Sequence, residues 1–114
     1  MKKRLIIHYD RKRDVLYVTL GKRATLNLPW DENEDICLDT EHCEVVGYII
    51  TNFCAIYPKL AERLNRKERW FVKEFFKQRL KDWNLLLSPI KTKKAMMDFL
   101  NKERAGLSSE VAHR

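Results

Sequence analysis

At 114 residues, 45% hydrophobic and 34% charged, the chain falls within the size of one domain and outside the composition of disordered segments. Three Gly and three Pro leave little room for long linkers, and no apolar run reaches the ~20 residues needed to cross a bilayer. The charge is unevenly shared. Residues 1–57 hold 8 Lys and Arg against 9 Asp and Glu, a net of −1, and residues 58–114 hold 15 against 7, a net of +8. Such asymmetry suits a half that faces a polyanion or an acidic partner.

The N-terminus, MKKRLIIHYD, opens like a secretion signal. Its apolar stretch covers only Leu5 to Ile7 before His8 and Asp10, short of an h-region of ~7–15 residues, so it reads as a first strand and the expected location is cytoplasmic. Residues 3–9 and 14–20 are rich in Ile, Val, Leu, Tyr and Thr, which suit a pleated surface. DRKRD between them is a turn, where Asp10 and Asp14 can accept hydrogen bonds from turn amides. A second pair follows at 35–39 and 44–51, joined by the polar TEHC. The intervening 21–34 reads as a loop with room for a short strand over Thr25 to Leu28, begun by Gly21, stopped by Pro29, and carrying Trp30, which needs cover.

Parity shapes the expectation for the sheet. A strand with one wet face alternates apolar and polar residues. Here Leu16, Val18 and Leu20 form one face while Val15 and Tyr17 lie on the other; Val46, Tyr48 and Ile50 likewise oppose Val45 and Ile49. Both faces call for burial. Helices cover one, and either the Trp30 loop or a second copy of the chain covers the other, so a homodimer is expected.

From Pro58, a residue suited to a first helical position, the period changes. Val72, Phe75, Phe76, Leu80, Trp83 and Leu87 recur at helical spacing, with Leu60, Leu64 and Phe71 upstream; residues 58–87 form one long helix or two broken near Asn65. Ser88 as N-cap, Pro89 at the first position and Gly106 as C-cap delimit another helix, burying Ile90, Met96, Phe99 and Leu100. Residues 107–114 read as a flexible tail. The expected fold is α+β: a four-stranded antiparallel meander of two hairpins (1–57) followed by a basic extension of two helices (58–106), in one domain spanning 1–114.

Arg66, Lys73, Lys77 and Lys81 fall on one line at roughly 100° per residue, with Trp70 among them. A cationic row with an exposed indole suits phosphates or carboxylates plus a stacked base, against the plain alternative of a solvated helix face. No catalytic pattern competes with it: there is no phosphate-cradling Gly loop, nucleophile elbow or H-E-x-x-H. Asp31, Glu34, Asp35 and Asp39 are carboxylates of the kind that bind Mg²⁺, so a small metal-dependent nuclease is an alternative, but they read better as a polar loop or a counterweight to the basic helices. Cys37, His42 and Cys43, with His8, match no common zinc spacing, and three cysteines without C-x-x-C imply no disulfide framework. Tyr9, Tyr17 and Tyr48 read as core and interface residues rather than a pocket ring. No cofactor, metal site or enzymatic activity is expected.

Tyr9-Asp10, Asp14-Val15-Leu16-Tyr17-Val18, Ile36-Cys37-Leu38-Asp39 and Val45-Val46-Gly47-Tyr48-Ile49-Ile50 together resemble a small prokaryotic family of unassigned function. The likeness covers under half of the chain. It implies a four-stranded antiparallel sheet with a packed helix and, because such genes often stand beside small toxin-like ribonucleases, an antitoxin or other neutralising role. Cys37 departs from the usual hydrophobic or β-branched residue, and the extension after Pro58 is longer than the usual final helix. The functional expectation is a non-enzymatic binding protein of antitoxin or regulator type. It would dimerise through its sheet and hold a protein partner, nucleic acid, or both, at Arg66, Trp70, Lys73, Lys77 and Lys81. A mobile-element inhibitory or accessory protein, acting by surface charge, is a further alternative.

Overall fold

The structure, a computed structural model, describes the backbone of residues 4–112 and the side chains of residues 4–105. It is α+β, with an antiparallel sheet of five strands and four helices in place of the expected four and two. The strands are β1 (Ile6–Asp10), β2 (Val15–Thr19), β3 (Leu26–Asp31), β4 (Glu34–Asp39) and β5 (Glu44–Ile50). The helices are α1 (Phe53–Ile56), α2 (Pro58–Asn65), α3 (Arg69–Leu87) and α4 (Lys93–Ala112).

The extra strand, β3, falls in the stretch expected as a loop with room for a short strand over Thr25 to Leu28, and it runs on through Pro29, which was expected to stop it, to Asp31. It includes Pro29 because it is an edge strand with β4 as its sole strand partner, and the register shifts between Pro29 and Asp31; an edge position or a bulge is where a residue without an N–H is tolerated. The order β1-β2-β5-β4-β3 is also not a simple meander. A hairpin (β1, β2) and a three-stranded meander (β3, β4, β5) are sewn together where Leu16, Tyr17, Val18 and Thr19 lie opposite Ile50, Ile49, Tyr48 and Gly47.

Helix boundaries follow local hydrogen bonding. Residues 58–87 are two helices, parted by Arg66, Lys67 and Glu68. The Lys67 N–H donates to the Leu64 carbonyl (3.1 Å) and the Glu68 N–H to that of Arg63 (2.9 Å), a Schellman ending in which Lys67 is left-handed at φ 64°. The last helix does not begin at Ser88 and Pro89. Ser88 closes α3, its hydroxyl donating to the Leu85 carbonyl (3.2 Å), and Thr92 caps α4 by accepting the Ala95 N–H (3.2 Å). Nor is Gly106 a C-cap: α4 continues through it, so the backbone of 107–112, expected as tail, is helical. Residues 113–114 lie outside the described residues.

One sheet face is covered by the helical layer. Ile7, Leu16, Val18, Ile36, Leu38, Tyr48 and Ile50 share a core with Phe53, Leu60, Leu64, Val72, Phe76, Leu80, Leu87, Met96 and Leu100. Trp30 joins this layer, edge-on to Trp83 at 5.0 Å between centroids, and so does not cover the opposite face. That face carries His8, Tyr17, Ile49 and Asp35 in one cross-strand row and Ile6, Thr19, Gly47, Cys37 and Asn27 in the next. Ile6 is 47% and Tyr17 37% exposed, and Tyr17 lines a shallow hollow of about 310 Å³ with Cys37, Val46 and Ile49.

Gly47 sits in the β2–β5 seam. A Cβ there would fall on the Val18 carbonyl oxygen, with Thr19 Cα at 3.3 Å, so the two backbones approach only because the side chain is missing. Gly47→Ala should therefore lower stability by about 1–3 kcal/mol, the usual penalty of overpacking, with the loss read in urea denaturation.

Candidate functional site

The basic row lies on α3, a 19-residue helix anchored by Val72, Phe76, Leu80 and Leu87, all at most 2% exposed. Lys73, Lys77 and Lys81 recur every four residues on its flank; Lys77 and Lys81 are exposed and Lys73 half-buried. Among the described residues none of the three makes an ion pair. Trp70, in the first turn, is 62% exposed and touches the Phe71 ring edge-on at 5.7 Å. Arg66 is not on this line. The Schellman turn breaks the helix after it, and at the end of α2 it pairs with Glu62 at 2.7 Å. The structure thus groups Trp70, Lys73, Lys77 and Lys81 and sets Arg66 apart.

On its buried side α3 delivers a fifth cation. Arg79 donates to Glu34 Oε1 at 2.8 Å and lies over the Tyr48 ring at 5.3 Å; the Tyr57 hydroxyl donates to Glu34 Oε2 at 3.3 Å. Glu34 is 5% exposed. Burial pushes its carboxyl above the usual glutamate range, and Arg79 opposes that push. Tyr57 rises to about 12, by burial and the nearby Glu34 charge. Among the described residues the buried Tyr48 hydroxyl and Arg79 Nε have no well-aligned hydrogen-bond partner. This cluster ties the tip of the β3–β4 hairpin to the helical layer, which is the counterweight role expected for the acidic segment. The sequence does signal Arg79, as a cation next to Leu80 at the margin of the apolar stripe, but its pairing with Glu34, forty-five residues away, is visible only in the fold.

The four acidic candidates do not converge. Asp31 and Glu34 face each other across a tight hairpin, Asp35 pairs across to Ile49 on the open face, and Asp39 ends β4. Asp39 Oδ1 accepts the Glu41 and His42 amides at 3.1 and 3.3 Å, and its Oδ2 meets His42 Nδ1 at 2.7 Å. Burial would raise the Asp39 carboxyl, but these hydrogen bonds and the His42 charge hold it below the usual range. Among the described residues Asp39, Glu41 and His42 are the one group close enough to share a metal ion; their turn hydrogen bonds account for the arrangement. Cys37 points to the open face, its thiol pushed up to about 11 by burial and Asp35, whereas Cys43 is buried in the core, so no Cys/His site forms.

Tyr9 and Asp14, two residues of the family-like pattern, form a lock. The Tyr9 hydroxyl donates to Asp14 Oδ1 at 2.6 Å, and the Cys54 amide donates to both Asp14 carboxylate oxygens at 3.2 Å. The Asp14 carbonyl accepts the Phe53 N–H at 3.1 Å. Asp14 takes φ 55° to reach these partners, tying the first hairpin to α1. Burial alone would raise its carboxyl, and the Tyr9 and Cys54 hydrogen bonds hold it low. Tyr9, Tyr17 and Tyr48 do not ring a pocket: Tyr17 is on the open face and Tyr48 in the core.

Searches of family models, curated proteins and solved structures find no match to this chain.

Arg79→Met should destabilise the fold by about 3 kcal/mol at neutral pH, toward the low end for broken buried pairs because the Arg79 side chain is 32% exposed. The defect should shrink on acidification. Glu34, raised in the folded state, is favoured when protonated, so its contribution to stability is larger below the unfolded pKa and falls as pH climbs through the folded one. Asp14 acts in the opposite sense: its contribution is present above the unfolded pKa and lost as pH falls through the folded value. Asp14→Asn should flatten the acid limb of the stability curve, measured by denaturation across pH.

Proposed function

We propose that this chain is a non-enzymatic binding protein of antitoxin or regulator type. It binds nucleic acid, or an equally anionic surface of a protein partner, along α3, and pairs with a second copy of itself through the open sheet face. The observation that carries the reading is the Lys73, Lys77 and Lys81 row, without ion pairs among the described residues and led by a 62%-exposed Trp70. A rigid helix holds the row, its opposite side being anchored in the core. Lysines so placed release counterions from a phosphate backbone, and an indole beside them offers a stacking platform. The antitoxin component is supported by the Tyr9-Asp10 and Asp14 to Ile50 motifs, and the dimer by exposed Ile6 and Tyr17 on the sheet face opposite the core that the sheet shares with the helices.

Fluorescence anisotropy with short single-stranded oligonucleotides tests the α3 row. Replacing Lys73, Lys77 and Lys81 with Gln should reduce the slope of log affinity against log salt by about two to three, and Trp70→Ala should weaken binding by about 1–3 kcal/mol. Absence of oligonucleotide binding at low salt would refute the nucleic-acid reading. For the dimer, Ile6→Glu with Tyr17→Glu should convert dimer to monomer in sedimentation; a monomeric wild type would refute the sheet interface.

A further inference from the structure

At the β1 edge of the sheet, a cleft of about 360 Å³ opens between the first hairpin and the α2–α3 joint, lined by His8, Tyr9, Arg11, Leu64, Lys67 and Arg69. Three of its six residues are cations and none is a carboxylate. The acidic side chains close by in sequence are engaged elsewhere: Glu62 by Arg66 and Glu68 by Arg63, each at 2.7 Å, Asp14 by Tyr9 and Cys54, and Asp10 by the Arg13 amide at 3.3 Å and its guanidinium at 4.0 Å. Among the described residues Arg11, Lys67 and Arg69 form no ion pair.

Both arginines are nonetheless held in place, by neutral acceptors. Arg11 donates one Nη1 hydrogen to Asn65 Oδ1 at 3.0 Å and lies over the Tyr9 ring at 5.6 Å; Arg69 Nη2 donates to the Ile7 carbonyl at 2.7 Å. A guanidinium has five N–H donors, so most remain for a ligand.

Lys67 is the most telling member. It occupies the left-handed position of the Schellman turn at φ 64°, where glycine is usual because a Cβ is penalised. A lysine in that conformation points to a task for its side chain, and Lys67 lines the cleft.

We propose that this cleft binds a phosphomonoester, the terminal phosphate of a nucleotide or of a nucleic-acid 5′ end. A phosphomonoester carries about −1.5 to −2 charges near neutral pH, more than a backbone phosphodiester, and suits a cleft lined by three cations and no carboxylate. The cleft is of small-molecule size, and Leu64 and the Tyr9 ring supply an apolar wall for a sugar or base. The site shares no residue with the α3 row.

Two measurements on the full chain test this: amide chemical-shift titration with adenosine monophosphate, and anisotropy with a short single-stranded oligonucleotide bearing either a 5′-phosphate or a 5′-hydroxyl. The nucleotide should shift amides of residues 8–11 and 64–69, and the phosphorylated oligonucleotide should bind about tenfold tighter, as expected for one charge-assisted hydrogen-bond set. Response to the nucleotide alone assigns the source as free nucleotide; response to the phosphorylated end alone assigns it as nucleic acid. Lys67→Gly should abolish the response while raising the melting temperature, an opposed pair of effects that loss of structure does not produce. Arg11→Met should abolish it as well. The Gln triple variant at 73, 77 and 81 should weaken both oligonucleotides alike and preserve their ratio, so failure of the α3 row and failure of the cleft are distinguishable. Equal affinity for the two oligonucleotides with no nucleotide-induced shifts, or an unchanged response in Lys67→Gly, would overturn the proposal.

Discussion

The seam between β2 and β5, from Leu16 opposite Ile50 to Thr19 opposite Gly47, joins a hairpin to a three-stranded meander, and the helical layer is built on the surface this creates. Its partners are some thirty residues apart in the chain, so forming it means closing a long loop before any contact rewards it. Backbone approach at the seam depends on Gly47, and its inward residues, Leu16, Val18, Tyr48 and Ile50, form the floor on which Phe53 and Phe76 rest. Without the seam neither piece of sheet is wide enough to bury the apolar stripe of α3.

Electrostatics divide α3 into two sides. Arg79, turned inward, spends its charge on buried Glu34, so the acidic content of the β3–β4 hairpin is partly neutralised inside the fold. Lys73, Lys77 and Lys81 remain at the surface, where their field is directed to solvent and to any anion that approaches. The same division recurs at the α2–α3 joint. Arg63 and Arg66 are satisfied by Glu68 and Glu62, while Arg11 and Arg69 are steadied by neutral groups and, with Lys67, form no ion pair among the described residues. A net excess of cations is therefore not spread evenly; it gathers where carboxylates have been drawn away.

The open face of the sheet obeys a different logic. Its β1 edge is blunted by Arg69 on the Ile7 carbonyl, and β3, at the other edge, carries Pro29 and meets Arg104, whose Nη1 donates to the Pro29 carbonyl at 2.9 Å. Both devices discourage edge-to-edge pairing. Growth of the sheet by strand addition is thereby disfavoured, which leaves face-to-face contact as the geometry open to a partner, with Ile6, Tyr17 and Ile49 as the apolar part of that surface.

Much of the fold was legible in the residues themselves. Strands β1, β2, β4 and β5 follow from β-branched and aromatic runs punctuated by turns, and the inward side of α3 follows from its three- and four-residue spacing, because both signals are local. Spacing alone leaves 58–87 as one helix or two broken near Asn65, and hydrogen bonding decides for two, with Lys67, not a glycine, making the turn. Strand β3 was legible only in part, as a possible short strand over Thr25 to Leu28, since Pro29 argues against continuing it until its place at an edge is known. Nor was Thr92 distinguishable from Ser88 as a cap, a choice that depends on where α3 ends against the core. Composition and spacing by themselves determined an α+β chain with a basic helical half and a lysine row. Only the tertiary structure decided which cations are neutralised, that Glu34 meets Arg79, and that Arg11, Lys67 and Arg69 share a cleft, because pairing between charges depends on distance in space, which order along the chain does not encode.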